Sequence, residues 1–196
     1  MPTRVLLALV TLTVCLAAGV VGVVVARVGD EPLRASAGWE GAIRPPGTRL
    51  PDFSLTDQDG ETVTAAGLRG QTVVVTFMYS TCEDTCPAQA QSIRGALDRL
   101  GHDVPVIAFS VDPANDTPRR ARTFLLKQSM TGRMHFLLGT REQLAPIWKA
   151  FGIAPQHDGR EHSAYTVLVD GRGRQRIGFP ASELTPNRLA ADLARL

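Results

Sequence analysis

Residues 72–87 read TVVVTFMYSTCEDTCP, from Thr72 to Pro87. The first half, Thr72–Tyr79, is an almost unbroken apolar and β-branched run. That is the pattern of a central strand covered on both faces. The run stops at Ser80, and two cysteines follow at C-x-x-x-C spacing, Cys82 and Cys86. From Pro87 onward Ile93, Ala96, Leu97 and Leu100 recur at helical spacing until Gly101 closes the segment. A buried strand that turns directly into a helix begins a βαβ unit, so this stretch predicts a largely parallel sheet.

Downstream, Val104–Val111 is a second buried strand. Thr117-Pro118 opens a helix, with the threonine as N-cap and the proline at the first helical position. Met134–Leu138 is a short strand. Arg141–Phe151 is a further helix, disturbed at Pro146. Ala164–Val169 and Gln175–Phe179 flank the Asp170–Arg174 turn as a hairpin, and Thr185-Pro186 opens a last helix running to Leu196. Upstream, Phe53–Leu55 and Glu61–Leu68 form a hairpin across Asp57-Gln58-Asp59-Gly60. The expected fold class is α/β, in a thioredoxin-like arrangement. A central mixed sheet is flanked by helices and carries an N-terminal hairpin extension, all behind an N-terminal transmembrane helix.

That last expectation rests on Val5–Ala26, 22 residues without a charge between Arg4 and Arg27. At about 1.5 Å per residue this helix spans roughly 30 Å, the thickness of a bilayer core. A cleaved signal has a shorter apolar region of about 7–15 residues. The run continues past Ala17-Ala18-Gly19, so it reads as an uncleaved anchor. Cys15 follows Val14 rather than a small residue, and reads as a packing residue of that helix rather than a lipidation site. The short N-terminal flank places the N-terminus inside and the domain outside the cell membrane, on a single-pass anchor. The chain thus divides into an anchor at 1–27, a flexible stem at 28–50 rich in proline and glycine, and a domain at 51–196.

The chain has 196 residues with 44% hydrophobic and 20% charged, which excludes a disordered protein. Residues 1–50 carry five arginines against three acids, and residues 51–196 carry 16 bases against 16 acids. A domain without a basic footprint makes nucleic acid an unexpected partner. Three cysteines in all exclude a disulfide scaffold.

The functional reading starts from Cys82 and Cys86. The loop beyond the carboxyl end of a central strand is where ligands bind in such sheets. A helix N-terminus favours a thiolate there. Sulfurs at i and i+4 share a helix face, where they can clamp one soft ion or approach for a disulfide. Inert packing of both cysteines is the plainer alternative. Of the four histidines, His102 suits a helix end, His135 a short strand and His157 a polar loop. His162 is different, because it precedes the strand Ala164–Val169, where thioredoxins place a proline against their redox pair. No proline occurs from Gln156 to Val169. Two thiolates and an imidazole make a three-coordinate copper site, since thiolates suit Cu(I) and imidazole admits Cu(II). A structural zinc site needs a fourth protein ligand. Met78, Met130 and Met134 read as packing, and Asp112 and Asp116 as turn and cap residues.

These residues resemble the Sco/SenC family, the membrane-anchored copper-binding proteins that help assemble cytochrome c oxidase. The resemblance runs from about Pro51 to Leu196. It is carried by Phe77–Cys82 with Cys86-Pro87, by Ser110-Val111-Asp112-Pro113 with Asp116-Thr117-Pro118 and Leu138–Glu142, and by His162–Tyr165 with Leu168-Val169-Asp170 and Gly173. It implies that Cys82, Cys86 and His162 bind one copper per chain. It further implies delivery to the binuclear copper centre on the oxidase's copper-bearing subunit, with another copper chaperone or a thiol reductant as further partners. Glu83 stands where the family has proline, and Glu83 and Asp84 are expected to raise the thiol pKa. The chain then reads as a metallochaperone rather than an enzyme. The alternative is a thiol–disulfide oxidoreductase acting through a Cys82–Cys86 redox disulfide. A peroxidase of the peroxiredoxin type ranks behind both, because Thr81-Cys82 lacks the Thr-x-x-Cys spacing.

Overall fold

The strand expected from Thr72–Tyr79 spans Val73–Met78, and every residue of it is buried. A computed structural model describes residues 38–155 and 164–196. The expected anchor at 1–27, the first part of the stem and His162 lie outside the described residues. Among the described residues no helix is long and apolar enough to cross a membrane.

In chain order the strands are Ala42–Ile43 (β1), Ser54–Thr56 (β2), Thr62–Thr64 (β3), Val73–Met78 (β4), Val106–Ser110 (β5), His135–Leu137 (β6), Tyr165–Val169 (β7) and Gln175–Pro180 (β8). The helices are Thr85–Leu100 (α1), Pro118–Lys127 (α2), Arg141–Phe151 (α3) and Pro186–Leu193 (α4). Six strands form one sheet in the order β1-β8-β7-β4-β5-β6, and β2-β3 form a separate hairpin. β4, β5 and β6 are parallel, whereas β7 is antiparallel to β4 and to β8. The sheet is therefore mixed, as expected of a thioredoxin-like fold.

Alternation along β4 divides the core. Val74 and Met78 face Cys86, Ala90 and Ile93 of α1, Phe124 and Leu125 of α2, and Leu189 and Leu193 of α4. Val73, Val75 and Phe77 face the other way, onto Leu144, Ile147, Trp148 and Phe151 of α3. Burial of this order contributes about 1.5–3 kcal/mol for each large side chain. Local signals set the helix ends. The hydroxyl of Thr117 accepts from the Arg120 backbone N–H at the start of α2, and Thr185 does the same for α4. Thr140 and Gln143 form a capping box on α3. Gly101 ends α1 at φ 73°, a conformation glycine adopts without a Cβ penalty.

Three local expectations differ from the structure. Pro146 does not break α3, because Pro146 and Glu142, whose carbonyl loses its helical donor, lie on the exposed face. α4 ends at Leu193 rather than Leu196. Part of the segment read as flexible stem is packed on the domain, and the compact unit begins at Trp39. β1 pairs with β8, joining Ala42 to Gly178 and Ile43 to Ile177. The fully buried Asp192 carboxylate accepts the backbone N–H groups of Glu40 and Gly41, both at 2.9 Å. Arg195 lies over the Trp39 ring at 4.8 Å, and Arg44 donates to Gln175 Oε1.

Candidate metal and thiol site

β4 delivers the chain to the end of the sheet, and Tyr79 begins the turn that carries the first cysteine. The Cys82 N–H donates to the Tyr79 carbonyl at 3.2 Å. Cys82 is half-buried and Cys86 is fully buried, and neither is in a disulfide. α1 starts at Thr85, two residues earlier than the sequence pattern placed it, so Cys86 lies inside the first helical turn. Its backbone N–H donates to Cys82 Sγ at 3.2 Å. Cys82 itself precedes the helix, so the two cysteines meet across its N-terminus rather than along one helical face, and they are not equivalent. One faces the exterior and the other stands behind it.

The electrostatics follow from that asymmetry. A hydrogen bond from the Cys86 thiol is the strongest influence on Cys82. Burial opposes it, while the backbone N–H groups of Cys86 and Asp84 and the Tyr79 side chain add to it. Together they bring the Cys82 thiol down to about 6. Cys86 moves the other way, because its bond to Cys82 and its burial both hold its proton in place. The reduced pair therefore keeps one proton on the inner sulfur and presents a thiolate outside. The expectation that Glu83 and Asp84 would raise the thiol fails for Cys82. Both residues are exposed, so water screens their charge, while donors at close range decide the shift.

Asp116 is not the mere cap residue that the sequence suggested. Its buried carboxylate accepts from the Ser80 N–H at 2.7 Å, from Ser80 Oγ at 2.5 Å and from Ser110 Oγ at 2.5 Å. It ties the end of β5 to the loop that carries Cys82. Burial raises its carboxyl, and the bonds from Ser110 and Ser80 only partly offset this. The one sequence signal was a serine ending a buried strand with an acid six residues later. Under α1, Gln89 donates to Thr76 Oγ1 at 3.4 Å and Thr166 Oγ1 at 3.3 Å, and its Oε1 is buried without a partner among the described residues.

Two clefts open beside Cys82. One of about 550 Å³ runs along α2 and includes Ser80, Arg119, Arg120 and Lys127. The other, of about 360 Å³, is bounded by Tyr79, Glu83, Asp84, Ala164 and Pro180. Because β7 is antiparallel to β4, its start lies beside the end of β4, with Thr166 opposite Thr76. Ala164, two residues after His162 in sequence, thus borders the cysteine loop. Among the described residues no further histidine, cysteine or acid joins the two thiols in a metal-binding cluster. His135 is not near this role. Its Nδ1 pairs with Asp57 Oδ2 at 2.8 Å and fastens the β2–β3 turn to β6.

Comparison with known proteins agrees with the fold. The SCO1/SenC family model matches residues 42–196. Protein SenC of Rhodobacter capsulatus is 37% identical over 137 residues, covering 65% of this chain and 59% of SenC. The chain thus aligns with less than two thirds of that relative's length. The copper-bound structure of ScoI from Bradyrhizobium japonicum is 32% identical with a TM-score of 0.63, covering 75% of this chain and 98% of that one. BsSco, described as a cytochrome c oxidase assembly protein with a disulfide switch, is 25% identical with a TM-score of 0.66, over 78% of this chain and 95% of its own.

Proposed function

This chain belongs to the SCO1/SenC family, and from that premise we propose that it is a membrane-anchored, extracytoplasmic copper metallochaperone. It binds one copper ion through Cys82, Cys86 and His162. It delivers the ion to the binuclear copper centre of cytochrome c oxidase, and receives it from another copper chaperone. Residues 1–27 hold it in the cell membrane with the N-terminus inside.

The observation that carries this reading is the cysteine pair itself. Two cysteines outside any disulfide meet where β4 turns into α1, at the carboxyl end of the central strands and beside the start of β7. Two sulfur donors suit Cu(I), and an imidazole lets the same site hold Cu(II). The copper bound by the B. japonicum relative supports the cargo. In loading, the outer Cys82 thiolate engages the ion first. Cys86 then gives up its proton as it joins, so uptake releases a proton. With three protein ligands, a donor on the acceptor protein can enter and take the ion without a catalytic base.

A second reading, a thiol–disulfide oxidoreductase, is favoured by the low Cys82 pKa. The Cys82 thiolate attacks a client disulfide and forms a mixed disulfide, releasing one client thiolate. Cys86 then displaces the other client sulfur, leaving a Cys82–Cys86 disulfide and a reduced client. The disulfide switch described for BsSco supports this.

The test is metal content and absorption spectrum of the reduced full-length protein after copper loading, beside Cys82→Ala and His162→Ala. One copper per chain is expected, with a thiolate-to-copper charge-transfer band for the Cu(II) form that disappears in Cys82→Ala. His162→Ala is expected to lose tight binding and keep disulfide exchange. Wild-type copper retention in His162→Ala overturns the three-ligand site.

A further inference from the structure

The two sides of the Cys82 opening carry opposite charge. On one side stands the exposed Asp84, and the exposed Glu83 borders both clefts at the Cys82 mouth. On the other stand Arg119, Arg120 and Lys127, all exposed, on the α2 wall of the cleft. We propose that this α2 cleft docks an acidic segment of a cysteine-bearing protein partner, laid along the helix so that the partner's sulfur meets Cys82. The proposal rests on the proposed exchange at Cys82 and names the surface chemistry of the protein that exchanges with it.

Three observations carry it. First, the cations have no internal counter-charge. The side chains of Arg119 and Lys127 make no hydrogen bond or ion pair with any described residue, and the Arg120 guanidinium donates only to the Asn115 carbonyl. Elsewhere Arg133, Arg174, Arg176 and Arg188 each hold an acid of the same domain. Second, α2 reads PRRARTFLLK and contains no acid, so its positive field toward the cleft is not cancelled within the helix. Third, the charges are spread out. Arg119 and Lys127 are eight residues apart, about 12 Å along a helix. An extended peptide covers that distance with about four residues at roughly 3.3 Å each. A small anionic thiol cannot span it. Asp84 on the opposite side and Glu83 at the mouth shared by both clefts repel acids, so an acidic segment is held along α2, where three cations outnumber the one acid.

Full-length protein in neutral detergent, metal-free and reduced, tests this against three peptides. Each carries one cysteine as a mixed disulfide with 2-thiopyridine, flanked on one side by four Glu, four Gln or four Lys. Cys82 attacks the peptide sulfur, the new disulfide replaces the old one, and released 2-thiopyridone is followed by absorbance. The Glu peptide is expected to react about tenfold faster than the Gln peptide at low ionic strength, and the Lys peptide more slowly. High salt should remove the ranking. Arg119→Gln with Lys127→Gln, which removes no internal bond, should flatten it. Equal rates for the three peptides overturn the proposal. So does oxidised glutathione reacting with the same rate gain and the same loss in the variant, which would assign the cleft to a small anionic disulfide. Copper per chain, measured on the same preparations, reads the proposed function separately. Copper binding without a charge ranking sinks the docking surface alone, and a ranking without copper sinks the carrier alone.

Discussion

Replacing Cys86 with alanine removes the donor that most lowers the Cys82 thiol. A hydrogen bond to a charged acceptor is worth about 1.5–3 kcal/mol. At about 1.36 kcal/mol per pKa unit this is a shift of roughly one to two units. The Cys82 midpoint, about 6 in the reduced pair, is therefore expected to rise to roughly 7–8 in Cys86→Ala. The backbone N–H groups of Cys86 and Asp84 still favour the thiolate, so the midpoint stays below that of a free cysteine. The thiolate fraction at pH 7 then falls from about nine-tenths to between about one-half and one-tenth. A more basic thiolate is also a better nucleophile, with a Brønsted slope of about 0.4–0.5, so a single alkylation rate understates the change. The assay is the pH midpoint of thiolate absorbance or of iodoacetamide alkylation, on metal-free reduced protein. Cys86→Ser retains a donor and should stay nearer to the wild type. An unchanged midpoint in Cys86→Ala would refute the idea that one proton shared between the sulfurs activates Cys82.

Other perturbations test the frame around the site. Asp116→Ala strands the Ser80 N–H and two hydroxyls, and is expected to cost about 3 kcal/mol in chemical denaturation, because bonds to a buried carboxylate are lost together. Asp116→Asn keeps the shape and should cost less than half as much. A loss below about 0.5 kcal/mol for the alanine variant would mean that Asp116 does not hold the loop. Burial acts to raise Asp170, but the Arg174 N–H, the Arg176 and Arg174 side chains and the Arg172 N–H outweigh it and bring the carboxyl down to about 2. The folded value lies below the ordinary one of 3.8. Its contribution is therefore complete above pH 4 to 5 and disappears as pH falls toward 2. That contribution is about 2 kcal/mol, and Asp170→Asn should flatten this part of an acid unfolding curve. Asp192→Ala removes the acceptor for two backbone N–H groups of the entering chain. It should cost about 2–4 kcal/mol and expose residues 38–44 to protease, and wild-type protease resistance would contradict the clamp.

Elements coded by neighbouring residues were legible in the sequence. The Thr72–Tyr79 run is hydrophobic enough to require cover on both faces, and the threonine caps before Pro118 and Pro186 act within one turn. Cys82 and Cys86 were legible as a pair because their spacing equals a helical turn. Which sulfur faces outward was not, because that depends on where α1 begins and how it packs on β4. β1 had no local signature. Two residues become a strand there because Asp192 and Gln175, more than 130 residues away in sequence, hold the chain in place. The role of Asp116 was hidden for the same reason, since Ser80 is 36 residues away. The α2 cations have no local signature of a site, because only the fold sets them along the Cys82 opening.

The two-residue strand β1 also decides how neighbouring copies meet. It covers part of the outer edge of the longer β8, which would otherwise offer a row of free N–H and carbonyl groups to any passing strand. Pro45 and Pro46 follow it after Arg44. Neither has an N–H, so a second molecule cannot extend the ladder along that rim. At the opposite rim β6 is only three residues long, and the β2–β3 hairpin closes on its end through the Thr56–Leu138 bridge. Blunted on both sides, the sheet resists edge-to-edge aggregation even where many copies crowd together, and each chain keeps its thiols available to a partner of a different kind.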